Sequence, residues 1–230
     1  VPVKVGRKSE NSATLSYGGE FPVEVLCTLE PEEVRFSAKI SNNSKDKILR
    51  EFQFPMIKNA GVPQNAQYVN SGGGGTFVPD FYRYVKGAQT QYKSQDNVAV
   101  ERYAPYPISR TMNMFAIQNP KGSLYFASLD PNYELTLHLA RYRKVDDQFR
   151  YLDIAMVKYP FIKSGGSFET AEFAVAPTVG DWRTGARLYA RALGKTFGIP
   201  AQPDFIKNMN GWQRMICLLY TSPSPRDLST

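Results

Sequence analysis

The stretch Val23–Ser41, VEVLCTLEPEEVRFSAKIS in one-letter code, decides the fold class of this chain. Every second residue is apolar from Val23 to Leu29, and again from Val34 to Ile40. A period of two places alternate side chains on opposite faces of a strand. The short connection at Pro31 therefore predicts an antiparallel hairpin with one apolar face and one solvated face.

The same period predicts further strands along most of the chain. They are Leu15–Tyr17, Ile48–Phe54 ended by Pro55, Met112–Ile117, Leu124–Leu129, Tyr133–Leu139, Phe149–Val157 and Glu169–Val175. Turn residues such as Asn119–Gly122 separate them at regular spacing. About nine to eleven such strands indicate an all-β fold, a large antiparallel β-sandwich.

The stretch from Met56 to Pro107 does not follow this period, and we expect a flexible surface loop there. It contains four consecutive glycines, Gly72–Gly75. A phosphate-binding loop would need a helix directly after the glycines, normally with a Lys-Ser/Thr pair. Thr76-Phe77-Val78-Pro79 follows instead, which argues against a phosphate site.

A single helix is predicted after Pro177. Apolar residues recur there at spacings of four, three, four and four, which is typical of one helix face: Trp182, Ala186, Tyr189, Leu193 and Phe197. Asp181 is the predicted N-cap, and Gly198 with Pro200 ends the helix. Arg183, Arg187 and Arg191 form a neighbouring stripe that we interpret as a solvated face.

Three motifs resemble an uncharacterised bacterial family of glycoside-hydrolase-like proteins, related to the α-galactosidase-like clan. They are Tyr106-Pro107 with Met112–Phe115, Gly122–Phe126 and Asp130; the segment Gly180–Tyr189; and Asn210-Gly211-Trp212. The resemblance covers about Val23 to Ile216. It implies a galactose-mutarotase-like supersandwich, then a helix that bridges to a (β/α)8 barrel. The barrel would carry the catalytic carboxylates, so the resemblance assigns no catalytic residue to this chain.

The resemblance also implies a domain organisation. Residues 1–177 would form the sandwich, 178–209 the linker helix with a Pro-containing linker, and 210–216 the start of a truncated barrel. Residues 217–230 resemble the translation of a sequencing-library adapter, because Cys217–Asp227 matches it over eleven consecutive residues. The predicted protein is thus a non-catalytic front part of a glycoside hydrolase that acts on oligo- or polysaccharides. The alternative is a stand-alone carbohydrate-binding or structural sandwich.

The net charge of +7 admits a weaker third interpretation, an anionic-glycan or nucleic-acid binder. The basic residues are scattered, however, and no nucleic-acid-binding motif accompanies them. We therefore expect carbohydrate and the missing barrel domain as partners, and neither nucleic acid nor membrane. No apolar run reaches the 18 residues that a membrane helix needs. For a bacterial chain of this kind, a periplasmic or secreted location is favoured.

Candidate catalytic side chains are few. Glycoside hydrolysis requires two carboxylates about 5–10 Å apart, whereas Glu32-Glu33 and Asp146-Asp147 are adjacent and interpreted as solvated charges. Asp130 before Pro131 is interpreted as a turn residue, or as a ligand in a loop that reaches a sugar. His138, the single histidine, is expected at the surface or against a helix. No metal site, cofactor or catalytic triad is predicted.

Aromatic residues offer the remaining candidates for sugar contact. Trp182 is interpreted as a domain-interface residue, with a sugar platform as the alternative. The tyrosines of the long loop could stack on pyranose rings, although packing onto the sheet is favoured; they are Tyr82, Tyr84, Tyr92, Tyr103 and Tyr106. Cys27 is predicted to be a buried free thiol. Asn42-Asn43-Ser44 matches a glycosylation pattern, to which we give no weight in a bacterial chain.

Overall fold

The computed structural model describes residues 3–61, 65–72, 75–86, 90–94, 97–145 and 148–197, together with Ala201 and Asp204. The chain divides into two compact units, Val1–Phe197 and Gly198–Thr230. The predicted barrel strand 210–216, the adapter-like segment 217–230 and the helix-ending Gly198 and Pro200 lie outside the described residues. No helix among the described residues has the length and apolar character required to span a membrane.

The described part of the first unit contains fifteen strands and two helices. In chain order they are β1 Val3–Arg7, β2 Ser12–Tyr17, β3 Val23–Leu29, β4 Val34–Ser41, β5 Phe52–Ile57, β6 Gln67–Asn70, β7 Thr76–Val78, α1 Phe81–Lys86, β8 Thr90–Ser94, β9 Asn97–Tyr106, β10 Met114–Asn119, β11 Gly122–Ser128, β12 Thr136–Val145, β13 Gln148–Lys158, β14 Ser167–Glu169, β15 Phe173–Thr178 and α2 Trp182–Phe197. The predicted all-β class followed by one long helix is confirmed.

The strands form two antiparallel sheets. The larger has ten strands in the order β1-β2-β3-β4-β15-β11-β10-β6-β7, with β14 paired to β4. The smaller has five in the order β5-β13-β12-β9-β8. The predicted hairpin of β3 and β4 is confirmed, with Val25 opposite Ala38 and both buried. Strand β1 lies at one end of the larger sheet, and all five of its residues are exposed.

The main core lies between the two sheets and is built largely from aromatic rings. Phe115 of β10 stacks on Phe126 of β11 with ring centroids 5.0 Å apart. These rings face Ile154 and Met156 of β13, which are fully buried. Burying each such side chain contributes roughly 1.5–3 kcal/mol, so this layer dominates the stability of the sandwich.

Helix α2 covers the outer face of the larger sheet, opposite to the main core. Leu188 and Tyr189 are buried against Tyr125 and Met114 on that face. Asp181 caps the helix as predicted, since its Oδ1 accepts the Arg183 N–H at 2.9 Å. The helix therefore adds a third layer to the fold.

The prediction of a flexible surface loop from Met56 to Pro107 was wrong for most of this stretch. This stretch contains β6, β7, the short helix α1, β8 and β9. Strand β9 was not predicted because it contains Pro105. This proline lies past the residues of β9 that pair with β8, in the part of the strand that pairs with β12 alone. A proline is tolerated there because only one side of the strand needs hydrogen bonds.

Strand boundaries also moved. The strand expected at Ile48–Phe54 is β5, which continues through Pro55 to Ile57 at an edge of the smaller sheet. Its register against β13 is irregular at this proline. Glu169–Val175 was expected as one strand, but the structure divides this region into β14 and β15.

Candidate functional site

A cleft of about 390 Å³ lies on the outer face of the larger sheet, between the first turn of α2 and strand β7. Its lining combines the apolar residues Trp182, Phe77, Met112 and Met114 with the polar residues Asn70, Ser71 and Thr111. Sites for small molecules typically measure about 300–1,000 Å³ and combine apolar walls with a few polar groups. Two other depressions are more open to solvent. The candidate site is therefore this one, the Trp182 cleft.

The aromatic rings of the Trp182 cleft come from two separate elements. Trp182 is the first residue of α2, half-buried, and its backbone N–H donates to Gln118 Oε1 at 2.8 Å. The Arg183 guanidinium lies 5.3 Å from the Trp182 ring centroid. Phe77 on β7 remains 52% exposed, which is high for a phenylalanine that lines a cleft. The Trp182 and Phe77 rings thus contribute apolar surface that a ligand in the cleft can cover.

A tight turn carries β7 to the cleft. The Gly75 N–H donates to Gly72 O at 2.9 Å, and Gly75 has a φ of 112°, which a residue with a side chain rarely adopts. Gly72 and Gly75 belong to the glycine run noted in the sequence, whereas Gly73 and Gly74 lie outside the described residues. Gly72 and Gly75 therefore lie in a turn between β6 and β7, and a strand rather than a helix follows Gly75.

Hydrogen bonds fix the polar side of the cleft. Ser71 Oγ donates to Met112 O at 3.0 Å and accepts the Met112 N–H at 2.8 Å. Thr111 Oγ1 donates to Ser71 O at 3.2 Å. These bonds hold the segment before β10 against the end of β6, so the cleft wall is preformed.

A cation and an amide lie directly behind this wall. Asn70 is 4% exposed; its Oδ1 accepts the Gly72 N–H at 2.8 Å, and its side-chain amide lies close to the buried Tyr68 hydroxyl, although without full hydrogen-bond geometry. The Arg110 guanidinium packs against Gly72 so closely that a Cβ there would lie 2.1 Å from Nη1. Arg110 Nη1 donates to Ser109 O at 2.8 Å, but its buried Nε has no partner within the described chain.

His138 is buried, so the expectation of a surface position was wrong. It is 3% exposed, its Nε2 is 3.1 Å from Asn113 Oδ1, and its ring centroid lies 5.1 Å from that of Phe115. Burial, and secondarily the positive charge of Arg110, lowers the pKa of His138 to about 3. The ring is therefore neutral at physiological pH and enclosed in the core, where it cannot exchange protons with a substrate.

The buried carboxylates are all ion-paired. Among the described residues they are Glu33 with Arg35, Glu101 with Arg141, Asp130 with Lys158 and Asp153 with Arg143. Burial alone would raise the pKa of Asp153, but hydrogen bonds from Arg143 and from the Asn59 N–H outweigh it and lower that pKa. For Asp153 this favours the charged form of the carboxylate rather than a general acid.

The acidic residues singled out in the sequence occupy different positions. Asp130 is a turn residue as interpreted, because its Oδ1 accepts the Asn132 N–H at 2.8 Å, and it also bonds the buried Lys158 at 2.6 Å. The interpretation of Glu33 as solvated was wrong, since it is 8% exposed. Glu32 is exposed and pairs with Arg191 of α2. Asp146 and Asp147 lie outside the described residues.

The tyrosines proposed as sugar platforms mostly pack within the protein. Tyr84 stacks on Tyr68 with centroids 5.8 Å apart, Tyr82 packs on Tyr142 at 5.3 Å, and Tyr106 is 3% exposed. Tyr103 is half-buried on the outer face of the smaller sheet, and its hydroxyl donates to Glu101 at 2.5 Å. The side chain of Tyr92 lies outside the described residues.

Two further predictions concern Cys27 and Asn42. Cys27 is free and only half-buried. Asn42 is fully buried, and its Nδ2 donates to Lys47 O and Ile162 O at 2.7 and 2.9 Å. Asn42 thus organises a turn and offers no surface for glycosylation.

Sequence reasoning singled out Trp182 as a candidate but missed Phe77, Asn70 and Arg110. Phe77 lay in the expected loop, and Arg110 belongs to a segment without a regular period. The pairing of β6 with both β7 and β10 places Phe77 opposite Val69 and Asn70 opposite Phe115. No local pattern in the sequence carries that information.

No family model matches this chain, and no curated protein matches it. Among solved structures, the chain is similar to one titled a putative aldose 1-epimerase from Escherichia coli K12. The two share 10% sequence identity, the match covers 77% of this chain and 69% of the other, and the TM-score is 0.44. At this level the likeness concerns the path of the chain alone.

Proposed function

We propose that this sandwich is a non-catalytic, carbohydrate-binding part of a glycoside hydrolase and that the Trp182 cleft holds a sugar ring. The observation that carries the proposal is the pairing of two accessible aromatic rings, Trp182 and Phe77, with a polar wall at Ser71 and Thr111. A pyranose has an apolar face of C–H groups and a rim of hydroxyls. The electron-rich face of an aromatic ring can pack on the C–H groups, and hydroxyl and amide groups can form hydrogen bonds with the sugar hydroxyls.

The non-catalytic role is supported by the state of the carboxylates. A glycosidase needs a pair of carboxyl groups that face the same substrate. Each buried carboxylate of the described chain is instead paired with an arginine or lysine, as with Asp130 and Lys158. The enzymatic part of the proposal, a hydrolase barrel beyond the sandwich, is motivated by the family resemblance of Gly180–Tyr189 and Asn210–Trp212.

Affinity electrophoresis of the chain in gels that contain neutral and acidic polysaccharides tests the proposal. We expect at least one polysaccharide to retard the wild-type protein and Trp182→Ala to lose that retardation. Phe161→Ala is the matched control, because Phe161 is 59% exposed and lies outside the cleft. The proposal fails if no polysaccharide retards the wild type, or if Trp182→Ala, folded by circular dichroism, binds as the wild type does.

A further inference from the structure

We infer that the sugar bound in the Trp182 cleft is a 6-deoxyhexose, as rhamnose and fucose are, and that its methyl group lies on the floor of the cleft. This inference rests on the proposed function and adds the class of saccharide. It follows from the described lining of the cleft, which includes no charged side chain and is mostly hydrocarbon.

The floor of the cleft is the outer face of strands β7, β6 and β10. Val69 of β6 lies opposite Phe77 of β7 on one side and opposite Ala116 of β10 on the other, so these side chains project from the same face. Met114 precedes Ala116 by two residues and projects from that face as well. Because β6 is paired on both sides, its backbone polar groups are engaged in the sheet. The floor therefore offers hydrocarbon surface rather than hydrogen-bond partners.

The hydroxyl groups beside this floor are already bonded within the protein. The Ser71 hydroxyl donates its proton to Met112 O, and the Thr111 hydroxyl donates its proton to Ser71 O. A hydroxyl has a single proton, so both groups can only accept hydrogen bonds from a ligand. The Asn70 amide is directed away, since Asn70 lies opposite the core residue Phe115 and shares its side of the sheet. These side chains can therefore bond only a few of the hydroxyls of a sugar.

A methyl group fits such a lining better than a hydroxymethyl group does. Most hexoses carry CH2OH at C5, and its hydroxyl would lose water on the apolar floor without gaining a partner there. A 6-deoxyhexose carries CH3 at the same position, and the burial of that group on the floor is favourable. An N-acetyl group also ends in a methyl, but its N–H and C=O need partners that the floor does not supply. The lining thus favours the 6-deoxy class.

The experiment uses two pairs of methyl glycosides that differ only in the hydroxyl at C6. They are the L-rhamnoside with the L-mannoside, and the L-fucoside with the L-galactoside. Ligand-observed NMR titration measures their affinities, and saturation transfer reports which sugar protons touch the protein. We expect the 6-deoxy member of at least one pair to bind about tenfold more tightly, the effect of one buried hydroxyl without a partner. Its methyl protons should receive the strongest saturation.

The variant Val69→Thr tests the floor itself, because threonine keeps the shape of valine and adds a hydroxyl. This hydroxyl can bond the sugar hydroxyl at C6, so the variant should lose most of the preference for 6-deoxy sugars. Val5→Thr is the matched control and should keep the wild-type preference, because Val5 is 69% exposed on β1 and lies outside the cleft. Should Val69→Thr fail to fold, the wild-type affinities and the saturation pattern still decide.

Each outcome has a distinct meaning. Equal binding within both pairs, with loss in Trp182→Ala, would overturn the 6-deoxy class and leave the proposed function standing. The same holds if neither pair binds while a polysaccharide still retards the wild type and not Trp182→Ala. Absence of binding to every saccharide would overturn both. A preference as strong in Val69→Thr as in Val5→Thr would show that the methyl group does not lie on the floor and would overturn the inference.

Discussion

At the scale of single residues, Asn113 connects all three layers of the protein. Its backbone N–H donates to the Tyr189 hydroxyl of α2 at 3.0 Å. Its Nδ2 donates to Thr136 Oγ1 at 3.1 Å, and its Oδ1 bonds His138. These partners explain why polar groups are tolerated in the core between the sheets, where each would otherwise be costly.

The sequence assigned the wrong face of β12 to the core, and the reason is physical. Leu137 and Leu139 suggested that their face is buried, which placed His138 on the other face, at the surface or against a helix. In fact Leu139 packs on the outer face of the smaller sheet, whereas His138 and Tyr142 point between the sheets. A strand buried on both faces has no informative alternation, and only the tertiary partner Asn113 makes the polar face acceptable inside.

The depressed pKa of His138 predicts that the protein loses stability in mild acid. An unfolded histidine titrates near pH 6.5, whereas the folded one titrates at about 3. Between these values the unfolded state binds more protons, so stability is unaffected above pH 6.5 and falls as the pH drops below it. At pH 5 the loss is about 2 kcal/mol.

Urea denaturation at pH 7 and pH 5 measures this effect. The wild type should lose about 2 kcal/mol more between the two values than His138→Gln, which cannot titrate but can still bond Asn113. Equal losses in the two proteins would contradict the neutral buried state of His138.

At the scale of elements, the packing of α2 depends on the absence of a side chain at Gly185. A Cβ there would lie 2.7 Å from Tyr125 Cδ2 and 2.9 Å from Tyr125 Cβ. By contrast, a Cβ at Gly194 on the same helix would meet nothing within 4 Å. The two glycines therefore have opposite roles within one helix.

These positions predict opposite effects of the same substitution. Gly185→Ala should destabilise the protein by about 1–3 kcal/mol, because the helix must move away from the sheet. Gly194→Ala should stabilise it by up to about 1 kcal/mol through helix propensity. Thermal unfolding of both variants beside the wild type checks this; a gain in Tm for Gly185→Ala would show that α2 does not pack on Tyr125 as described.

The elements differ in how far the sequence predicts them. The hairpin of β3 and β4 was predictable because its faces differ in polarity and Pro31 marks the turn. Strand β6 was not predictable, because three of its four residues are buried and their burial therefore does not alternate. Strands β5 and β9 contain prolines. The proline in β5 is tolerated because β5 is an edge strand, and the proline in β9 because only one side of β9 is paired there. Whether a proline is tolerated in a strand thus depends on the order in which the strands pair, and no local sequence pattern reveals that order.

At the scale of the whole molecule, helix α2 packs as a third layer on the sandwich. Leu188 and Tyr189 are buried on the sandwich, over an apolar surface that includes Tyr125 and Met114. Removing the helix would expose this surface to water.

A chain ending at Pro177 should therefore be less stable and more prone to associate than one ending at Phe197. Losing the burial of Leu188 and Tyr189 alone would cost roughly 3–6 kcal/mol at about 1.5–3 kcal/mol for each side chain. Denaturant titration and size-exclusion chromatography of the two truncated chains test this. A monomeric, equally stable shorter chain would show that the sandwich does not depend on α2.

Among the described strands, none pairs with the outer edge of β1 in the larger sheet. Its backbone N–H and C=O groups on that side are a template for one more strand, and Val3 and Val5 are 46% and 69% exposed. Lys4 and Arg7 are the opposing feature, since two copies brought edge to edge would bring like charges together. Salt weakens that repulsion while it leaves the backbone template intact. High ionic strength thus weakens the charge repulsion that opposes fibre-like growth from this edge. Concentrated solutions of the protein should therefore aggregate least in buffers of low ionic strength.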